Sequence, residues 1–318
     1  MNDNLYMRRC LQLALSGRQN VKSNPMVGAV IVAEDGRIIG EGYHVRYGEG
    51  HAEVNAFASV KAEDEKLLPH STVYVSLEPC SHYGKTPPCA DLIISKKVRR
   101  VVVGCVDPFA KVSGNGIKKL RDAGIEVTVG VMEKECLDLN KRFVVYNTLK
   151  RPYVILKWCQ TINGYIDDNY KPTLLSTPFT QMLTHKLRAE SGAILVGRIT
   201  AERDKPKLNV RLWHGDNPFV IVIDRNSPFD VSIDYDKPVI PQLMDFLYEK
   251  NIQSLLVEGG TKTHEHFIAS GIWDEIRVEI ANKTVSEGTK APQLPDDIEI
   301  IGEKQYDNNR IITFRHKN

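Results

Sequence analysis

No run of apolar residues in this chain approaches the length needed to cross a membrane. Met1-Asn2-Asp3-Asn4 also lacks the basic, then apolar, layout of a secretory signal, so a cytoplasmic protein is expected. Cysteine is sparse: the six at positions 10, 80, 89, 105, 136 and 159 do not make the dense framework of a small disulfide scaffold, which points to a reducing compartment. An excess of one charge is missing too. The 42 basic and 40 acidic residues leave a net charge of +2, split 21 to 17 through Lys150 and 21 to 23 beyond it. Neither half therefore has the charge of a dedicated nucleic-acid binder. Repeats and low-complexity tracts are absent, and the nearest approach to disorder, Asn282 to Asp297, reads as a surface loop. At 318 residues the chain is long enough for two domains, each with its own core.

The apolar pattern alternates between strand and helix periods, which makes the class α/β. Leu5 to Ser16 reads as an amphipathic helix, and Val27 to Ala33 with Arg37 to Gly42 as a hairpin around Asp35-Gly36. A helix from His51 to Lys61, a strand over Val73 to Leu77 and a helix from about Ala90 follow. The strand Arg100 to Val106, the helix Ile117 to Ala123 stopped by Gly124, and the strand Ile125 to Val131 complete a sheet sandwiched by helices. Around Tyr146 to Pro152 a helical pattern gives way to the strand Tyr153 to Gln160, which places the domain boundary at residues 147/148. The second half alternates again: helix Pro178 to Ser191, strands Ala193 to Val196 and Phe219 to Ile223, helix Gln242 to Lys250, strand Ser254 to Val257, and a helix ending near Ser270.

The first half holds one constellation with a specific chemistry. His51-Ala52-Glu53 is followed by Glu78-Pro79-Cys80 and then Cys89. Catalytic zinc takes three protein ligands and keeps a fourth position for water, and one imidazole with two thiolates suits it. Glu53, two residues from His51, is the non-ligating carboxylate that moves protons between the water, a ring nitrogen and departing ammonia. Taken singly, two cysteines nine apart are no more than small buried hydrophobes; the four residues in this order make a metal site. Pro79 ends the strand, and Cys80 is expected to open the next helix, where the helix-end charge favours thiolate.

In the second half, Val257 leads into Glu258-Gly259-Gly260-Thr261 and a helix. Amides at a helix start can hold a phosphate, and two glycines let a ligand approach the chain closely. A tight strand-helix connection gives the same pattern.

The eight-residue insert between the cysteines, Ser81-His82-Tyr83-Gly84-Lys85-Thr86-Pro87-Pro88, replaces the Cys-x-x-Cys of nucleic-acid deaminases. With Asn24-Pro25-Met26-Val27-Gly28 and Gly40-Glu41-Gly42-Tyr43-His44, this segment closely resembles the bifunctional deaminase/reductase family of riboflavin biosynthesis, from about Leu5 almost to the C-terminus. The resemblance implies a cytidine-deaminase-like mixed sheet with helices on both faces over residues 1–147. It implies a dihydrofolate-reductase-like α/β domain over 148–318. The family deaminates a diaminopyrimidinone ribosylamine phosphate and then reduces its ribose to a ribityl chain, with Zn2+ and NADPH as cofactors.

Carried onto this chain, the resemblance assigns His51, Cys80 and Cys89 to zinc and Glu53 to proton transfer. Asn24, His44, Lys85 and Asp107 would meet the substrate of the deaminase, with Asn24 orienting the ring and Lys85 facing the ribose phosphate. Arg188, Leu208, Arg211 and Glu258 would line the ribose phosphate in the reductase. Cys159, Leu174, Thr200, Asp204, Gly260, Thr261, Lys262 and Thr263 would touch NADPH, with Arg225 and Lys262 as candidates for its 2′-phosphate. The implied partners are a small phosphorylated pyrimidine and further copies of the chain, as a dimer or tetramer, with no nucleic acid and no membrane. Several positions depart from the family pattern: Asn163 for Asp, Leu174 for Trp, Lys205 for the second Asp of Asp-Asp-Pro, and Phe109 for the Asn of Asp-Pro-Asn. These leave open a second half that is a degenerate nucleotide-binding or dimerisation module. A tRNA-adenosine type deaminase remains the other alternative, expected to keep Cys-x-x-Cys and to show a basic face.

Overall fold

The computed structural model describes residues 2–21, 23–83, 87–108, 113–224 and 233–317, and the chain divides into two units, Met1–Leu149 and Lys150–Asn318. The first unit runs α1 (Asp3–Leu15), β1 (Gly28–Val32), β2 (Ile38–Tyr43), α2 (Ala52–Ala58), a 3-10 helix (Ala62–His70) and β3 (Thr72–Leu77). It continues with α3 (Cys89–Ser95), β4 (Arg100–Cys105), α4 (Asn115–Asp122), β5 (Glu126–Val129), α5 (Glu133–Leu139) and α6 (Lys141–Leu149). The sheet order is β2-β1-β3-β4-β5; β1 is antiparallel to both neighbours, and β3, β4 and β5 are parallel.

The central strands read as unbroken apolar runs because the sheet is covered on both faces. Their two-residue period sorts the side chains into two cores. Ala29, Ile31, Val73, Val75, Val101 and Val103 face Ala56 and Phe57 of α2, Ile93 of α3 and Leu120 of α4. The alternate residues Val30, Val32, Tyr74 and Val102 face Met7 and Cys10 of α1 and Cys136 of α5. Full burial of each large aliphatic chain stabilises the unit by roughly 1.5–3 kcal/mol.

Helix α2 lies directly on β2. A Cβ on Gly42 would run into the Ala56 nitrogen and the Ala52 carbonyl oxygen, and one on Gly40 into the Ala56 carbonyl oxygen. Asn55 ties the helix to the strand end by donating to the carbonyls of Tyr43 (2.8 Å) and Gly50 (3.2 Å). This contact fixes where the helix begins, and His51 is its N-cap.

One expected element differs. The helix after β3 starts at Cys89, beside the expected Ala90, but Cys80 does not open it. The cause is the Pro87-Pro88 pair: the residue before a proline is pushed out of the helical region, so no helix started at Cys80 could run through it. Pro88 instead serves as the N-cap of α3.

The second unit contains β6 (Tyr153–Thr161), α7 (Pro178–Ala189), β7 (Ala193–Gly197), α8 (Arg198–Asp204), β8 (Phe219–Ile223) and α9 (Val239–Glu249). After these come β9 (Ser254–Val257), α10 (Thr261–Ser270), β10 (Glu275–Ala281), β11 (Ile298–Tyr306) and β12 (Asn309–His316). Its sheet order is β11-β12-β10-β6-β9-β7-β8, parallel from β10 to β8, with β12 antiparallel to β10 and β11. Val154, Leu156 and Trp158 of β6, Leu255 and Val257 of β9, Leu243 and Leu247 of α9 and Phe267 of α10 share one core. Thr177 caps α7 by accepting from the Thr180 N–H, with Pro178 at the first helical position. The carboxyl ends of the adjacent parallel strands β6, β9 and β7 come together, which is where open α/β sheets carry their ligand sites.

The segment 282–297, expected as a surface loop, is partly built into this unit. Val285 is buried, the Thr289 N–H donates to Asp167, and Ala291 donates to the Gly164 carbonyl. Among the described residues, no helix is long and apolar enough to cross a membrane.

Replacing Gly42 by Ala forces a Cβ against the α2 backbone, and overpacking of this kind costs about 1–3 kcal/mol. Gly42→Ala is therefore expected to lower the urea-unfolding midpoint of the first unit, and an unchanged midpoint would contradict the close helix-strand contact.

Candidate metal centre and strand-end site

Each of the three ligand side chains in the first unit is held by a different local device. His51 sits at the N-cap of α2, Cys80 in the extended segment that leaves β3, and Cys89 at the first position of α3. The His51 Nδ1 lies 3.6 Å from the Cys80 Sγ and 3.3 Å from the Cys89 Sγ, and the three ligand atoms lie within 4.8 Å of one another. Zinc bonds of about 2.0–2.3 Å to nitrogen and sulfur fit inside such a triangle. Among the described residues this is the one His/Cys/Asp/Glu group able to hold a metal ion. The Cys80 sulfur also accepts the Cys89 N–H at 3.2 Å. Hydrogen bonds from Cys89 and His51 outweigh burial and bring the Cys80 thiol down to about 4.

Glu53 occupies the first turn of α2 and is 3 % exposed. Burial pushes its carboxyl up to about 7 against the pull of the His51 ring. A carboxyl in that range can take and return a proton near neutral pH.

His44 is buried beside this centre, its ring edge-on to His51 at 5.5 Å. Its Nδ1 lies 3.1 Å from the Gly50 carbonyl oxygen, which can only accept, so Nδ1 carries the proton and Nε2 accepts from the Asn24 amide at 3.1 Å. Burial lowers the ring's pKa and keeps it neutral, as this arrangement needs. The structure thus assembles Asn24, His44, His51, Glu53, Cys80 and Cys89. Asp107 follows the end of β4, where its N–H donates to Glu78 at 3.2 Å. Lys85, Phe109 and Arg225 lie outside the described residues. Sequence reasoning used the Glu-Pro-Cys triplet only for its proline and cysteine, and missed Glu78 as a hub of backbone contacts; an acidic residue at a strand end gives no clear signal.

In the second unit the Gly259-Gly260 turn meets the ends of β7 and α8. A Cβ on Gly259 would lie 3.0 Å from the Gly197 nitrogen and 3.0 Å from Thr263, and one on Gly260 would lie 3.2 Å from the Thr200 Oγ1. Gly260 caps α10, and the Thr261 hydroxyl donates to the Lys290 carbonyl. Lys262 lies in the first turn of α10. Thr200, Gly260 and Thr263 are therefore close neighbours. Asp204 pairs with Arg203 at 2.9 Å at the far end of α8. Leu174 is 73 % exposed, and Cys159 is half-buried on β6, its thiol pushed up to about 12 by burial and then by Glu279.

Arg188 is not a solvated helix residue. It is 9 % exposed and grips Glu258 with two hydrogen bonds of 2.9 and 2.6 Å, while its remaining terminal nitrogen donates to the Asn209 carbonyl at 3.2 Å. Burial opposes ionisation of Glu258, but the guanidinium outweighs it and holds the carboxyl below its ordinary range. The Arg211 N–H donates to the His185 Nδ1 at 3.2 Å and its side chain to the Asn209 Oδ1, and Leu208, in the left-handed region at φ 48°, is buried next to them. Arg188, Leu208, Arg211 and Glu258 thus surround one turn.

Asn163, the family's usual Asp, uses both ends of its amide on the backbone of one residue, Val285. It donates to the Val285 carbonyl at 2.7 Å and accepts the Val285 N–H at 3.3 Å. An aspartate could not make the first of these bonds.

Comparison with known proteins agrees with this geometry over the whole chain. Residues 1–105 match the profile of the cytidine and deoxycytidylate deaminase zinc-binding region, and residues 152–307 match that of the RibD C-terminal domain. The riboflavin biosynthesis protein RibD of Aquifex aeolicus is 37 % identical over 92 % of this chain and 90 % of its own length. That of Actinobacillus pleuropneumoniae is 35 % identical over 93 % and 87 %. The crystal structure of a diaminohydroxyphosphoribosylaminopyrimidine deaminase/5-amino-6-(5-phosphoribosylamino)uracil reductase from Thermotoga maritima superposes with a TM-score of 0.88 at 34 % identity, covering 99 % of this chain and 98 % of that one. Acinetobacter baumannii RibD superposes with a TM-score of 0.85 at 28 % identity over 99 % of both chains. A deaminase-type zinc site in one unit and a reductase unit beside it in sequence are the two halves of one known design, and the chain belongs to the RibD family of bifunctional riboflavin-biosynthesis deaminase/reductases.

Proposed function

We propose that the first unit deaminates a diaminopyrimidinone ribosylamine phosphate and that the second reduces the ribosyl chain of the product. The observation that carries the first assignment is a buried carboxyl, Glu53, beside three ligand atoms within 4.8 Å of one another. His51, Cys80 and Cys89 would hold zinc, which would supply a water that ionises near neutral pH. Glu53 would take one proton from that water and give it to the ring nitrogen as the oxygen bonds to the amino-bearing carbon, then take the second proton from the added hydroxyl and give it to the amino group, which leaves as ammonia when the C–N bond breaks. Asn24, its amide nitrogen committed to His44, presents its oxygen to a donor on the pyrimidine edge. Asp107 contributes a further polar group, and Lys85 is assigned the ribose phosphate.

In the second unit NADPH supplies the hydride. Thr200, Gly260, Thr261, Lys262 and Thr263 are assigned to its phosphates, where amides at the start of α10 and small side chains allow close approach. Cys159, Leu174 and Asp204 border the same cofactor. Glu258 binds the sugar hydroxyls, held ionised and in place by Arg188. Arg211 and Leu208 close the site around the ribose phosphate. We further assign the active form to a homo-oligomer, a dimer or tetramer, working in the cytoplasm.

Glu53→Gln keeps the shape of the side chain and removes its titration. The purified variant is expected to retain one zinc per chain by metal analysis and to lose ammonia release by at least about 100-fold, the usual share of general acid-base catalysis; substantial turnover would sink the assignment. Stripping zinc with a chelator is expected to abolish ammonia release yet leave NADPH oxidation on the deaminated substrate intact. Loss of both activities together would place the metal in the wrong reaction.

Arg188→Met leaves a buried carboxylate without its cation, which costs about 3–5 kcal/mol in comparable pairs. In the parent, Glu258 lies below its unfolded value, so its contribution is present above about pH 4.3 and is lost as pH falls through the folded pKa. In the variant burial outweighs the weaker pull of Lys157 and His185, the folded pKa rises, and stability should instead decline as pH rises past about 4.3. Urea unfolding of both proteins from about pH 2 to 8 reads this difference: the parent loses stability only below about pH 4.3, the variant above it.

A further inference from the structure

Glu78 follows β3 directly and stands two residues before Cys80. It is 4 % exposed, and its carboxylate accepts four backbone N–H groups. Oε2 takes those of Asp107 at 3.2 Å and Gly114 at 2.9 Å; Oε1 takes those of Gly116 at 2.8 Å and Ile117 at 3.2 Å. Three of these donors belong to the N-cap and first turn of α4, where amides lack helical partners and the helix charge favours an anion. The N-cap residue, Gly114, has no side chain with which to do this locally. The cap is delegated to a residue 36 positions earlier in the chain.

The same contact grips the segment that carries a metal ligand. The Glu78 N–H extends the sheet to the Cys105 carbonyl at 2.9 Å. Pro79 lies so close under α4 that a Cβ on Gly116 would run into its carbonyl oxygen. On the other side, the Cys80 carbonyl accepts the Ala90 N–H at 3.1 Å and its sulfur accepts that of Cys89. Residues 78–80 are thus held between the first turns of α3 and α4, and the α4 side of that grip is a single carboxylate.

We propose that Glu78 is a positioning residue of the zinc centre: its carboxylate, bound to the start of α4, sets where the Cys80 thiolate stands relative to His51 and Cys89 and so governs how fast zinc leaves. This rests on the zinc reading of that site. Glu78 touches neither substrate nor metal; it acts through Pro79 and Cys80. Replacing it by glutamine keeps its length but removes the charge and turns one acceptor into a donor facing backbone N–H groups.

The experiment follows zinc release from the full-length, zinc-loaded protein to a chromogenic chelator, together with thermal unfolding. Groups that orient a metal's ligands typically change its affinity 10- to 100-fold, so Glu78→Gln is expected to release zinc at least about ten times faster than the parent. Leu120→Ala serves as the comparison, since Leu120 is fully buried in the same helix α4 but one turn beyond the N–H groups that Glu78 accepts. It should lower the melting temperature yet leave the release rate at the parent's value. Parent-like release from Glu78→Gln, or equal acceleration by Leu120→Ala at a matched loss of melting temperature, would overturn the proposal. Should Glu78→Gln fail to fold, Glu78→Asp, which keeps the charge and shortens the reach, is judged by the same two criteria. A parent that takes up no zinc would overturn the reading of the site itself, whereas a zinc-binding parent with indifferent variants would overturn only the clamp.

Discussion

Taking a carboxylate out of water is costly unless other groups replace the water, and the chemistry of this chain is organised around three side chains that face that cost differently. Glu258 is neutralised by a guanidinium that grips both of its oxygens. Glu78 is held by backbone amides of one loop residue and one helix start. For Glu53 burial outweighs the pull of the His51 ring and of a backbone hydrogen bond, and its carboxyl rises to about 7. The first two stay charged and hold structure in place. The third is left poised between its two states, and it is the one assigned to move protons.

Both sheets contribute by excluding other locations. In the first unit the strands are buried on both faces, so a polar group that must meet solvent can stand only where a strand stops or a helix starts. His51, Cys80 and Cys89 occupy such positions, and so do Gly260 and Thr261 in the second unit. The glycines of β2 extend the same economy, because they let a helix rest on a strand and bring its first residue over the sheet edge.

The zinc set was legible in the sequence because metal chemistry dictates residue type and leaves a short list of spacings. Pro79 ends β3 and makes Cys80 resemble a helix start, but Pro87-Pro88 forbids a helix through that segment and sets the start at Cys89. Glu78 was not legible as a hub because its partners are backbone amides, which have no residue identity to read. The Arg188–Glu258 pair spans 70 positions, and the charges along α7 pointed equally well to solvent. The hairpin of β11 and β12 left little trace because β11 is largely exposed and lacks the apolar alternation that marks a strand. The segment 282–297 looked like a free loop because its anchoring bonds come from Asp167, Asn163 and Gly164, more than a hundred positions away.

The departures from the family pattern are not all alike. Leu174 stands exposed where an aromatic ring would offer a stacking face, and no neighbouring contact accounts for the exchange. Asn163 fits its surroundings closely, because the backbone of Val285 offers it one donor and one acceptor. An aspartate at that position would give the turn after β6 an ionisable group, and its hold on the 285–291 segment would loosen or tighten with the acidity of the medium. With an amide, the bridge carries the same polarity at every pH, and the turn after β6 is fixed to the 285–291 segment by a contact that does not titrate.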